Sequence, residues 1–158
     1  EKNEYETTEV KVLTDKEGDI FYEFLLKPRE IAISKDTDLA KVFEIKEIYF
    51  DLNKSNIRPD AAVELAKIVE VMKQYPKMKI DIRSHTDSRA TDSYNLALSD
   101  RRAKSTLEWI VKQGIDRKRL KAKGYGETQL VNGCSNGVPC TEEQHQANRR
   151  SEFIIISM

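Results

Sequence analysis

The chain has 158 residues, 39% hydrophobic and 34% charged, enough for one domain of ordinary size plus a short appendage. Its 27 Lys and Arg balance 27 Asp and Glu, and a net charge of zero argues against a nucleic-acid binder, whose basic face skews the whole domain. No run approaches the roughly 18 apolar residues of a membrane helix. The charged start Glu1-Lys2-Asn3-Glu4 has no signal-peptide pattern, so the chain is expected to be a mature or excised piece of something longer.

In chain order, Val10-Lys11-Val12-Leu13 and the run from Ile20 to Leu26 read as short strands around the turn signal Asp15-Lys16-Glu17-Gly18-Asp19. Pro28 breaks that pattern, and residues 29–46 are charged and weakly patterned. Residues 1–46 are therefore expected to be an N-terminal extension or linker, or the end of a preceding β domain. Residues 47–158 are expected to form the main domain. Ile48-Tyr49-Phe50-Asp51 reads as its first buried strand, followed by a turn and by Pro59 at the first position of a helix. Ala62, Leu65, Ala66, Val69 and Met72 recur with helical spacing, predicting one apolar face. Met78, Ile80 and Ile82 alternate with Lys79, Asp81 and Arg83, the period of a half-buried strand.

A polar loop over residues 84–93 leads to a long helix expected over residues 94–113, with Ala103, Leu107, Ile110 and Val111 inward and Gly114 as its stop. Residues 120–125 read as a strand, 142–148 as a short helix and 152–157 as a final strand. A βαβαβ order with a closing strand predicts an α/β sandwich, with helices packed on a mixed sheet.

Cys134 and Cys140 have five residues between them, in a loop containing Gly133, Gly137 and Pro139. Such a loop turns back on itself easily, which favours a disulfide over two free thiols or half of a metal site. A bridge there implies an oxidising, extracytoplasmic compartment. Closing so short a loop is expected to matter little for a pocket elsewhere.

Chemistry concentrates in residues 85–103. Asp87 lies just past a strand end, where open α/β sheets bind ligands, and Arg101 and Arg102 follow in the next helix. A carboxylate and a guanidinium facing one crevice hold the two ends of a zwitterion. The plainer reading is that Asp87 pairs with one of these arginines. Arg101 points about 100° around the helix from Arg102 and is read as solvated. Phe50 and Trp109 are read as core.

The spacing Thr86-Asp87, ten residues, Leu98-Ser99, two residues, Arg102-Ala103 resembles the signature of the OmpA-like C-terminal domain, which binds peptidoglycan. Ile48-Tyr49-Phe50-Asp51, Tyr94-Asn95, Gly114-Ile115, Gly124-Tyr125-Gly126-Glu127 and Asn148-Arg149-Arg150-Ser151-Glu152 match that family in order. Thr106 and Ser151 depart from residues usual in the family. The resemblance implies a non-catalytic grip on the diaminopimelate of the peptidoglycan stem peptide, with no cofactor. Asp87 takes the ligand's ammonium and Arg102 its carboxylate, while Asp51, Asn95 and the backbone around Thr86 and Leu98 line the pocket. It further implies the periplasm of a Gram-negative bacterium, association with the outer membrane, and partner proteins there through the parent chain.

Two other classes compete. His85 and Asp92, with Glu142 and His145, resemble the ligand and base pattern of zinc D-alanyl-D-alanine peptidases. A protein-interaction module of the same fold is the other. No GxSxG motif occurs, and Gly124-Tyr125-Gly126 lacks the third glycine and the helix of a dinucleotide site.

Overall fold

A computed structural model describes residues 5–14, 20–28, 33–50 and 54–158. The chain divides into two compact units, Glu1–Ala32 and Ile33–Met158. In the first, β1 (Tyr5–Thr14) and β2 (Ile20–Pro28) pair antiparallel, from Tyr5 opposite Pro28 to Thr14 opposite Ile20, with an irregularity between Thr7 and Glu9. The turn signal between the strands lies outside the described residues.

The second unit contains α1 (Leu39–Val42), α2 (Pro59–Gln74), β3 (Lys79–His85), α3 (Asp92–Lys112), a 3-10 turn (Arg117–Arg119), β4 (Leu120–Gly126), α4 (Glu142–Asn148) and β5 (Ser151–Ser157). Its three-stranded sheet has the order β4-β3-β5, with β3 parallel to β4 and antiparallel to β5. The expected mixed sheet with helices packed on it is the observed fold, and β3 sits at its centre. Ile80 and Ile82 of β3 and Phe153 and Ile155 of β5 are fully buried with Leu65, Ile68 and Met72 of α2 and Ile110 of α3. Burying one such side chain contributes roughly 1.5–3 kcal/mol, so this cluster dominates the unit's stability.

Four details depart from the sequence reading. Residues 33–46 belong to the second unit, so the division falls after Ala32 and not after Lys46. Leu39 is fully buried in the core. The Asp38 carboxylate accepts from Ala40 at 3.0 Å, capping α1, and from the Phe153 amide at 2.9 Å. Asp36 and Thr37 exchange backbone hydrogen bonds of 2.8 and 2.9 Å with Ile155. This segment meets β5 on the side away from β3. Second, residues 45–50 therefore add no strand to the sheet, although Ile48 is buried in the core. Third, the inward stripe of α2 is Ala61, Leu65, Ile68, Val69, Val71 and Met72, while Ala62 is half-buried and Ala66 exposed. The helix is rotated toward the larger side chains, which have more apolar area to remove from water. Fourth, α3 starts two residues early because the Thr91 side chain accepts from the Tyr94 amide at 3.4 Å as its N-cap.

Gly124 decides how closely α3 lies on β4. A Cβ there would stand 2.1 Å from the Asp100 amide nitrogen and 2.5 Å from the Ser99 carbonyl carbon, so only glycine permits this approach. Gly114, at φ +96, ends α3 in a backbone conformation that other residues resist.

Candidate functional site

The end of β3 delivers a polar loop to the edge of the sheet. Thr86 continues the pairing with β4 through a 2.9 Å bond from its amide to the Gly126 carbonyl, and the His85 amide meets the Arg150 carbonyl at 2.9 Å. Asn95, in the first turns of α3, donates from its side chain to the carbonyls of Asp87 at 3.0 Å and Ala90 at 3.5 Å, and also to Glu127. Asn95 is thus a clamp on the loop as well as a lining residue. The loop backbone is closed in from β4 and from α3, as a buried polar segment must be to satisfy its amides and carbonyls.

A cleft of about 550 Å³ opens beside this loop. Thr86, Asp87, Asn95, Leu98 and Arg102, all expected at the site from sequence, line it together with Phe50 and Tyr94. Asp51 lies outside the described residues.

Asp87 is 8% exposed, and its carboxylate accepts three hydrogen bonds. Oδ1 takes the Arg89 amide at 3.1 Å, and Oδ2 takes Arg89 Nη2 at 2.9 Å and Arg149 Nη1 at 2.5 Å. The same two guanidiniums hold Glu142, with Arg89 at 2.7 Å and Arg149 at 2.5 Å, which closes a ring of four alternating charges. Burial by itself would raise the Asp87 carboxyl, but the bonds from Arg89 and Arg149 outweigh it and hold the group at about 2. Asp87 is therefore ionised throughout the neutral range. The pairing of Asp87 with arginine is real, but its partners are Arg89 and Arg149 and not Arg102.

Arg102 is positioned differently. It projects from α3 with its guanidinium carbon 4.9 Å from the centre of the Phe50 ring, a cation–π contact, and its Nε donates to the Lys54 carbonyl at 3.2 Å. Among the described residues it forms no ion pair. Burial lowers its pKa below the usual arginine value, far from any loss of charge at neutral pH. Phe50 thus flanks the site as well as packing against the core. Trp109 packs against the core, and Arg101 is exposed.

Arg89, Arg149 and Glu142 were not singled out for the cleft from the sequence. Arg149 stood in a recognised motif, yet nothing local says that it reaches a carboxylate 62 residues away. The zinc constellation is not assembled. His85 is 2% exposed and stacks on Tyr125 with ring centres 5.3 Å apart. Asp92 accepts from Asn136 at 3.2 Å, and Glu142 is engaged in the charge ring. Among the described residues, no group of three or more His, Cys, Asp or Glu side chains is placed to hold a metal ion. Burial pushes the His85 imidazole down to about 4, with the nearby Arg150 adding to the effect.

Cys134 and Cys140 are joined by a disulfide, and α4 follows at once, started by a capping box of Thr141 and Gln144.

Known proteins resemble this chain in sequence and fold. The model of the OmpA family matches residues 49–145. The chain is 35% identical over 115 residues to outer membrane porin F of Pseudomonas fluorescens, an alignment covering 72% of the chain and 34% of the porin. It is 39% identical over 87 residues to the peptidoglycan-associated lipoprotein of Brucella melitensis biotype 1, covering 55% of the chain and 52% of the lipoprotein. The chain thus spans about a third and about half of these relatives' lengths. The crystal structure of the peptidoglycan-associated lipoprotein from Burkholderia pseudomallei superposes with a TM-score of 0.60 at 25% identity, covering 70% of this chain and 90% of that one.

Proposed function

The chain belongs to the OmpA family, and on that premise we propose that its cleft binds peptidoglycan without cleaving it, gripping the zwitterionic end of diaminopimelate in the stem peptide. The observation that carries this reading is that a carboxylate kept ionised, Asp87, and a guanidinium, Arg102, open onto one cleft. Asp87 receives the ligand's ammonium at the acceptor positions its three bonds leave open, since a carboxylate offers about four. Arg102 receives the ligand's carboxylate through its planar fork. Among the described residues, the charged side chains that line the cleft are Asp87, Glu142, Arg89, Arg102 and Arg149.

Thr86 and Leu98 shape the wall, and Asn95 fixes the loop. In this reading the domain anchors an outer-membrane or periplasmic assembly of a Gram-negative bacterium to its cell wall. The disulfide supports the oxidising compartment that such a location requires. The relatives named porin and peptidoglycan-associated lipoprotein support the same assignment.

Sedimentation with purified sacculi tests it. Wild-type protein is expected in the pellet and Asp87→Ala in the supernatant, with no soluble muropeptides released. Stem peptides with lysine in place of diaminopimelate lack the far carboxylate and are expected to bind markedly worse. Wild-type protein left in the supernatant, or equal binding of the two peptides, overturns the proposal.

A further inference from the structure

The loop between β4 and α4 is bonded to the residue that follows Asp87. Ser88, next to Asp87 and 7% exposed, donates its hydroxyl to the carbonyl of Cys134 at 2.5 Å, across 46 residues of sequence. Cys134 is 2% exposed and bonded to Cys140. The loop is itself laced to α4. Asn148, fully buried, accepts from the Val131 amide at 2.8 Å and donates to the Asn132 side chain at 2.8 Å, and Asn132 in turn accepts from the Cys134 amide at 3.2 Å. A second tie runs from Asn136 to Asp92 at 3.2 Å, at the start of α3.

Asp87 therefore sits between two anchored neighbours. Thr86 is held by β4 and Ser88 by the disulfide loop, while the carbonyl of Asp87 itself is held by Asn95. Removing the far anchor frees one end of a three-residue span whose middle carboxylate must meet both Arg149 and a ligand. We infer that the Cys134–Cys140 loop, acting through Ser88, positions Asp87 for ligand binding. Ser88 and Cys134 are positioning residues and need not touch the ligand. The short bridged loop is thus coupled to the cleft, contrary to the independence expected from its size. The inference deepens the proposed grip on an ammonium and rests on that reading for its ligand.

A double-mutant cycle tests it, with a diaminopimelate-containing tripeptide as probe. Ser88→Ala is expected to weaken binding about 3- to 10-fold, the worth of one hydrogen bond. Cys134→Ala with Cys140→Ala keeps the main-chain carbonyl that Ser88 meets but opens the loop that holds it, and is expected to weaken binding in the same direction by a smaller factor. In an Asp87→Asn background Ser88→Ala is expected to change affinity by less than about 1.5-fold, because the group it positions is already gone. Equal losses in both backgrounds, or no loss in the wild type, overturn the inference.

The Asp87 titration followed by carboxyl-carbon NMR gives a readout that needs no ligand. Its midpoint, about 2 in the intact protein, is expected to rise in both variants as the contacts with Arg89 and Arg149 loosen. An unchanged midpoint overturns the inference. If wild-type protein ignores the tripeptide while the midpoint rises as expected, the ligand assignment fails and the positioning role stands.

Discussion

Asp87 and Arg102 line one cleft, but the loop that carries the first and the helix that carries the second reach it by different physics. The loop has no regular hydrogen-bond ladder of its own. Its position comes from bonds to β4, α3 and the disulfide loop, and its charge is balanced by Arg89 and Arg149. Arg102 needs few such supports, because α3 is a rigid rod of 21 residues laid on β4 and fixes where its side chain starts. One wall is set by many polar contacts and the other by one packing interface. The two should therefore fail under different insults.

The largest effect is expected where the helical wall meets the sheet. Gly124→Ala drives a methyl group into the backbone of Asp100, which cannot turn aside as a side chain can. A loss of about 3 kcal/mol or more is expected, at the top of the range for overpacking, read from the denaturant midpoint. A variant as stable as wild type would show that α3 is not held at this point.

Next is acid, which separates two buried groups by pH window. The fold keeps His85 neutral by lowering it from 6.5 to about 4. The unfolded chain therefore binds the proton first as pH falls, and stability present at pH 7 is lost between about 6.5 and 4. The effect is of order 3 kcal/mol, and His85→Gln should flatten that stretch of the stability curve. Asp87 behaves oppositely in type but not in direction. Its folded value lies below the unfolded one, so its contribution is present above about 3.8 and lost as pH falls toward about 2.

Asp87→Asn sharpens the loop wall. It should flatten the curve only below pH 4, and should weaken the diaminopimelate peptide by about 1.5–3 kcal/mol, roughly 10- to 150-fold. Arg102→Lys keeps the charge but loses the planar fork, the bond to the Lys54 carbonyl and the face on Phe50. About 10-fold weaker peptide binding by calorimetry is expected, with discrimination against lysine-type peptide reduced.

The smallest effect belongs to Arg89→Ala. The Arg89 side chain is 50% exposed, and exposed ion pairs contribute about 0–1 kcal/mol. Thermal stability and peptide affinity should hardly move, since Arg149 and the Arg89 amide still hold Asp87. A loss as large as that of Asp87→Asn would make the whole charge ring, and not Asp87 alone, the gripping element.

Much of this fold was legible because helices and strands announce themselves locally. Ile80 and Ile82 alternate with charged residues as a strand must. Ala103, Leu107 and Ile110 repeat as a helix must, and Gly114 stops that helix because it accepts positive φ. The motif spacing likewise set Asp87 just past a strand end and Arg102 inside the following helix, and the tertiary structure placed both on one cleft. What tertiary structure alone decided is who meets whom across long stretches of chain. Arg149 reaches Asp87 over 62 residues, Ser88 reaches Cys134 over 46, and Asp38 reaches Phe153 over 115. Residues 33–46 look like a linker because their pattern is charged and irregular, yet Leu39 fills the core and Asp38 is bonded to β5. Periodicity is a property of neighbours a few residues apart, so the sequence displays it directly. Ion pairs and hydrogen bonds between distant segments exist only once packing has brought those segments together.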